Sequence, residues 1–356
     1  MNREEEIISQ LIKDFQRIIP NGKVIGKQKV EKKPYDLVFD VQINKTRKKL
    51  VCEVKSAGQP RYLYQAIGQL KLGISAEKDA YPIIVAPYIS ERGRNICKEA
   101  GVGFIDLQGN VFLKFNSILI DVQQVGVKDR AMGIDRVSVK KMEKRTLRRL
   151  FSPVSSRVIR VMLENSKEVW TLRALSTEAE ASLKQTYLVT NTLDEEGFVD
   201  KKRGAITLTR PGELLDLWAS SYNITINEIQ TFYSFEKNPT SLMKKASALA
   251  REKGLKYAFT LHAGASLVAP FVRFTDVHFY LAGSRGFWVK ELDLRPVEYG
   301  GTVHLIIPYD KGVFYNRQIV GDMVTVSNTQ LYLDLHNYPA RGKEQADFLR
   351  AQKLSF

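Results

Sequence analysis

The stretch "YDLVFDVQINKTRKKLVCEVKS", residues 35–56, decides how the first part of this chain folds. Asp36 opens an apolar run, "LVFDV" (37–41), that reads as a strand. The polar, basic turn "INKTRKK" (43–49) leads to a second strand, "LVCEVKS" (50–56), with Glu53 and Lys55 set inside it. Side chains two apart on a strand project from one face, so Glu53 and Lys55 share a side of the sheet. Asp36, at the start of the preceding strand, can stand beside them. Two converging carboxylates can hold a hard divalent cation, Mg²⁺ or Mn²⁺, through oxygen ligands. Such a cation lowers the pKa of an attacking water. Lys55 can position that water or neutralise charge developing on a phosphate. The alternative is an ion pair at a sheet end, with Lys55 matched to Asp36 or Glu53.

Working outward, residues 3–19 carry apolar side chains at 7, 8, 11, 12, 15, 18 and 19, with Glu4 to Glu6 in the first turn. That spacing predicts a helix whose dipole favours the acidic start. Residues 62–75 read as a helix bearing Gln65 and Gln69, 81–88 as a buried strand, and 90–101 as a helix opened by Ser90 and closed by Gly101. Two short strands complete the succession α-β-β-α-β-α-β, an α/β domain over residues 1–125. With Pro34 and Asp36 in "KPYD" and Glu53 and Lys55 in "EVK", this domain resembles the PD-(D/E)xK nucleases, which have a restriction-endonuclease-like fold. The resemblance implies Asp36, Glu53, Lys55 and Gln65 as catalytic residues. It implies Glu6, Asp36 and Glu53 as metal ligands, with Gln69 second to Gln65 and Glu4 or Glu5 second to Glu6.

A basic linker, 126–150, runs into "VKKMEKRTLRRLFSPVSS" (139–156). Helices are then predicted over 156–170, 171–182 and 182–199, followed by a basic hairpin over 200–210 with Gly204 at its tip. Three helices and a hairpin over 151–222 resemble a winged helix-turn-helix domain, whose third helix enters the DNA major groove while the hairpin lies along phosphates. On that helix Lys184, Gln185, Tyr187 and Asn191 are polar, while Leu183, Leu188 and Leu193 are expected to face the core. Gln and Asn side chains can read adenine, and Lys can serve guanine or phosphate. Lys201, Lys202 and Arg203 supply the hairpin's charge. The alternative is a small helical domain that docks protein or dimerises.

Residues 228–356 return to mixed α/β: a helix over 241–254, a strand running into a helix in "YAFTLHAGASLVAPF" (257–271), and strands in "DVHFYLA" (276–282), "FWVKELDL" (287–294) and "TVHLIIPYD" (302–310). A helix, a Pro-Ala-Arg-Gly turn and a second helix occupy 329–350. "HAGAS" after a strand is similar to a nucleotidyltransferase Gly-Ser loop, but the paired Asp on the next strand is missing and only Asp276 stands there. The domain is thus expected to be degenerate, with Gly264 and Ser266 serving packing or a turn. Over nearly the whole chain, "VAPYISERGRNICKEAGVGFIDLQGNVFL" (85–113), the winged helix and "VSNTQLYLDLHNYPARGKEQADFL" (326–349) resemble the AbiEi-type antitoxins of type IV toxin–antitoxin systems. That resemblance implies a DNA-binding transcriptional repressor and a cognate toxin.

Composition agrees with a folded multidomain protein: 356 residues, 44% hydrophobic and 26% charged. Lys and Arg exceed Asp and Glu by 15, which favours a polyanionic partner such as double-stranded DNA. No apolar run approaches the ~18–20 residues of a membrane span. The acidic N-terminus is unlike a cleaved signal, so a cytoplasmic location is expected. Cys52 and Cys97 are isolated and none of the four His has a paired spacing, which argues against a disulfide framework or a zinc cluster. Two functions follow from these readings: a divalent-metal-dependent DNA endonuclease targeted by the winged helix, or an operator-binding repressor whose nuclease-like domain is not catalytic. A homodimer is compatible with both.

Overall fold

The computed structural model describes residues 3–18, 22–30, 35–43, 45–74, 80–116, 118–123 and 149–356. Pro34 and nearly all of the 126–150 linker lie outside them. The chain divides into two compact units, residues 1–144 with 193–197, and residues 145–192 with 198–356.

In the first unit, helix α1 (Arg3–Ile18) precedes strands β1 (Gly22–Lys29), β2 (Leu37–Ile43) and β3 (Thr46–Val54). Then come α2 (Pro60–Ile74), β4 (Ala80–Ala86), α3 (Glu91–Glu99), β5 (Gly103–Asp106), β6 (Val111–Phe115) and β7 (Ile118–Val122). The seven strands form one sheet in sequence order. β3, β4 and β5 run parallel, and the remaining neighbours are antiparallel. Alternation sorts the side chains into two cores. Leu37, Phe39, Val41, Leu50, Cys52 and Val54 pack with Ile7, Leu11 and Phe15 of α1. Val38, Val51, Ile84 and Phe104 pack with Leu63, Ala66, Leu70 of α2 and Ile96, Cys97 of α3 on the other face. Both cysteines are free and buried. The Ser90 hydroxyl caps α3 by accepting the Gly93 N–H, and Gly101 follows at positive φ.

Strands β1 and β7 were not anticipated. Both are edge strands in which alternate residues stay exposed, and β1, "GKVIGKQK", has too few apolar residues to announce itself.

In the second unit, α4 (Pro153–Glu164), β8 (Val169–Thr171), α5 (Leu172–Glu178), α6 (Leu183–Glu195, its last three residues counted with the first unit), β9 (Val199–Lys202) and β10 (Ala205–Leu208) come first. The helix expected over 156–170 starts earlier, with Pro153 in its first turn, and stops at Glu164; "VWT" instead pairs with β10 as β8. The three short strands lie in the order β8-β10-β9. Arg203 and Gly204, both at positive φ, make the two-residue turn between β9 and β10.

Next are α7 (Pro211–Ser221), β11 (Glu228–Tyr233), α8 (Pro239–Lys253), β12 (Tyr257–Thr260), α9 (Leu261–Val268), β13 (Val277–Leu281), α10 (Arg285–Glu291), β14 (Arg295–Pro296), β15 (Val303–Ile307), β16 (Gln318–Val320), β17 (Met323–Thr325), α11 (Asn328–His336) and α12 (Gly342–Lys353). A second seven-stranded sheet runs β14-β11-β15-β13-β12-β17-β16. The run "FWVKELDL" begins inside helix α10 rather than forming a strand. Ser284 caps that helix by accepting the Gly286 N–H, and Trp288 and Leu292, one turn apart, turn together onto the core. No helix among the described residues is long and apolar enough to cross a membrane.

Hydrogen bonds through charged side chains join the two parts of this unit. Arg157 of α4 donates from Nε to Asp310 Oδ1 at 2.8 Å and from Nη2 to Asp310 Oδ2 at 2.6 Å. Fully buried Arg160, its guanidinium over the Trp218 ring, donates to Gln330 Oε1 at 2.6 Å. Gln330 donates in turn to Asp334, which also accepts from Tyr222, Tyr280 and Thr260 hydroxyls. Burial pushes the Asp334 carboxyl up to about 6 despite those donors.

Gly264 sits where a Cβ would lie 2.7 Å from Thr325 Oγ1, 2.8 Å from Leu331 Cδ2 and 2.8 Å from the Phe259 carbonyl oxygen. Gly264→Ala is therefore expected to destabilise this unit by roughly 1–3 kcal/mol through overpacking. A thermal melt several degrees lower would show it; an unchanged melt would mean the backbone yields without cost.

Candidate functional site

Strands β2 and β3 pair with Leu37 opposite Cys52. Just before β2 the Asp36 N–H donates to the Cys52 carbonyl at 3.0 Å, which ties Asp36 to the end of β3. Asp36 Oδ2 accepts the Val54 N–H at 2.7 Å. On the other side of β3 the Lys55 N–H donates to the Val85 carbonyl at 2.9 Å, so the strand stays ordered through the charged positions. The side-chain alternation puts Glu53 with Val51, on the face that carries α2.

Glu53 is buried, and its Oε1 accepts from Lys55 Nζ at 2.5 Å. Lys55 Nζ also donates to Gln69 Oε1 at 3.0 Å. Gln69, not Gln65, is thus the α2 glutamine at this cluster. Gln65 lies one turn earlier and is exposed. The α1 carboxylate also changes: Glu6 is exposed, whereas Glu4 is half-buried and its charge is felt by Glu53. Burial raises the Glu53 carboxyl to about 7, the Lys55 hydrogen bond opposes the rise, and the charges of Asp36 and Glu4 add to it.

Lys55 is bonded to Glu53, and the charges of Asp36 and Glu4 act on Glu53 from nearby. Asp36 and Glu53 are the residues that could hold a hard divalent cation. Among the described residues no three His, Cys, Asp or Glu side chains gather as a metal cage. The Glu53–Lys55 ion pair is itself present.

Neighbouring Asp106 closes the end of β5. Its Oδ1 accepts the Gln108 and Asn110 N–H groups at 3.0 and 2.9 Å, and its Oδ2 accepts the Ile89 N–H at 3.1 Å. It organises the loops at the sheet end, and "DLQGN" was its signal in the sequence.

A second candidate surface lies on α6 and the β9–β10 hairpin. Thr186, Val189, Thr190 and Leu193 are buried, while Lys184 is exposed. Leu183 and Leu188, expected in the core, are exposed instead. Gln185 is held inside by its donation to Ser155 Oγ at 2.7 Å and so is not free to read a base. Lys201 donates to Asn191 Oδ1 and sits 4.9 Å over the Tyr187 ring. Lys202 pairs with Asp200 at 2.6 Å, and Arg203 is exposed at the turn. Leucines at 183, 188 and 193 are compatible with more than one helical face, which is why their pattern did not fix the rotation of α6.

The raised Glu53 carboxyl predicts a pH dependence. A carboxyl near 4.3 in the unfolded chain and about 7 in the folded one favours folding while protonated. Its contribution is complete below about pH 4.3 and is lost as pH rises through about 7. Denaturant midpoints of wild type and Glu53→Gln, compared between pH 4.5 and 8, should shift in favour of the variant as pH rises and level off above about 7. A pH-independent gap would mean that Glu53 titrates as an ordinary surface carboxylate.

Residues 207–355 match the family model described as "Transcriptional regulator, AbiEi antitoxin, Type IV TA system", a match that begins in β10 and covers α7 and the second seven-stranded sheet with its helices. No curated protein matches the sequence. Among solved structures, EndoMS in apo form is 16% identical with a TM-score of 0.23, covering 29% of this chain and 45% of that one. The EndoMS-dsDNA2 complex is 20% identical with a TM-score of 0.22, covering 29% and 44%. The chain therefore spans less than half the length of either. The segment from 207 to 355 is similar to AbiEi-type antitoxin regulators.

Proposed function

We propose that this protein is a DNA-binding transcriptional regulator of the antitoxin type, and that residues 151–222 act as its winged helix-turn-helix. The observation that carries the reading is the arrangement of α6 beside a cationic hairpin, joined through Arg157 and Arg160 of α4 to the segment that matches the regulator family. In this reading α6 enters the major groove, and Lys184, Lys202 and Arg203 meet phosphates. Lys201 and Asn191 are preorganised by their mutual bond, with Tyr187 beneath the ammonium. The partners are operator duplex and, from the family match, a cognate toxin. A homodimer would suit a palindromic operator. The site of action is the cytoplasm.

The test is retention of the duplex upstream of its own gene by the full chain across a salt series. Each phosphate contact releases condensed counterions, so log affinity should fall with log salt by roughly 0.9 per contact. Replacing Lys184, Lys202 and Arg203 by Ala should lower that slope by about three contacts' worth, a change of roughly 2–3. An unchanged slope would remove these residues from the interface, and no binding at any salt would overturn the reading.

A second reading is favoured by the Asp36, Glu53, Lys55 and Gln69 cluster: a divalent-metal-dependent DNA nuclease. A divalent cation, Mg²⁺ or Mn²⁺, would supply Lewis acidity toward a phosphate oxygen and an acidified water when bound there. Asp36 and Glu53 would hold it. Lys55 would neutralise charge on the phosphate while Gln69 holds the ammonium in place. Incubation of the full chain with plasmid, linear and single-stranded DNA, with Mg²⁺ or Mn²⁺ and with EDTA, separates the readings. A nuclease is expected to lose all cleavage as Lys55→Ala while keeping duplex binding. A wild type that cleaves nothing under either metal leaves the regulator alone.

A further inference from the structure

The face that α6 presents is not what a phosphate-binding surface needs. At 100° per residue, Leu183, Tyr187, Asn191, Lys184 and Leu188 fall within an arc of roughly 140°. Thr186, Val189, Thr190 and Leu193 fill the opposite arc and are buried. On the outward arc Leu183 is 48% exposed, Tyr187 49% and Leu188 49%. A single exposed leucine calls for no explanation. Two leucines and a tyrosine on one outward arc, flanked by Lys184 and by the hairpin's Lys201, Lys202 and Arg203, do call for one.

The cations point to a polyanion, and the apolar arc requires that polyanion to offer something apolar. The major groove of DNA does so at one position in its code, the C5-methyl group of thymine; phosphates, sugars and the edges of guanine, adenine and cytosine present polar groups. A membrane surface would meet the cations equally well, but burying a short helix arc shared with Asn191 and Lys184 in acyl chains would strand those polar groups. Asn191 and Lys201, bonded to each other, add a donor-rich centre between the leucines.

We infer that Leu183 and Leu188 are specificity-determining residues that read thymine methyl groups in the major groove, with Tyr187 packing between them. The inference rests on the winged-helix reading proposed above and names its preferred substrate: duplex DNA with thymines placed under the two ends of the outward arc. Gln185, tied to Ser155, takes no part.

The test uses the full chain and duplexes it selects from a random-sequence pool. The selected duplex is resynthesised with deoxyuridine in place of thymidine, which removes only the C5-methyl, one position at a time. Expected are thymine-rich winners and a loss of affinity of roughly fourfold for each contacted methyl, the effect of burying one methyl-sized apolar group. Leu183→Ala and Leu188→Ala should each abolish the uracil penalty at one position and leave the salt slope unchanged, while Leu188→Met should keep it. These side chains are half exposed, so the variants are expected to fold, and circular dichroism confirms it before binding is measured. Equal affinity for thymine and uracil duplexes overturns the methyl inference while leaving the regulator intact. Failure to retain any duplex overturns both, and a protein-docking surface would then explain the leucines.

Discussion

The register between β2 and β3 is the constraint on which the first unit depends. Leu37 opposite Cys52 places each strand's alternate residues in one of two dry cores, and it brings Asp36 to the end of β3 that carries Glu53. A slip of one residue would drive Glu53 into the core built around Phe39, Leu50 and α1, and would move Cys52 and Val54 out of it. The apolar cores therefore enforce a polar arrangement they do not themselves contain. Main-chain bonds from Asp36 to Cys52 and from Lys55 to Val85 tie the charged cluster to the sheet.

That cluster is held under electrostatic tension. Glu53 is buried within reach of the charges of Asp36 and Glu4, and its bond to Lys55 opposes them. Burial of a carboxylate costs stability unless it is paired, and here the pairing leaves the Glu53 carboxyl raised to about 7.

The second unit solves a different problem, the attachment of a small three-helix segment to a larger sheet domain. Buried polar bonds contribute to that attachment. Arg157 grips Asp310 with two nitrogens, and Arg160 reaches Asp334 through Gln330. Bonds of this kind are demanding in angle and distance, so they fix orientation as well as association. Ser155 and Ser156 of α4 extend the chain of contacts to Gln185 of α6 and to Tyr309. The outward arc of α6 is therefore presented by a frame whose angle is set from the sheet domain.

The sequence by itself determined several local elements of the first unit and the charged end of its third strand. Apolar periodicity marked α1, α2 and the central strands, Ser90 and Gly101 bounded α3, and the EVK run announced a charged strand end, because those signals are local and set by backbone geometry. The tertiary structure alone decided which side chains meet. Gln69 rather than Gln65 reaches Lys55, and Glu4 rather than Glu6 influences Glu53, because neighbours on a helix differ only by its rotation against the sheet. Packing against α4 likewise turned Gln185 inward and left Leu183 and Leu188 outside. The edge strands β1 and β7, and β11 of the second sheet, escaped notice because half-exposed residues carry little hydrophobic pattern. Rotation and pairing are properties of the packed whole, which one-dimensional spacing does not encode.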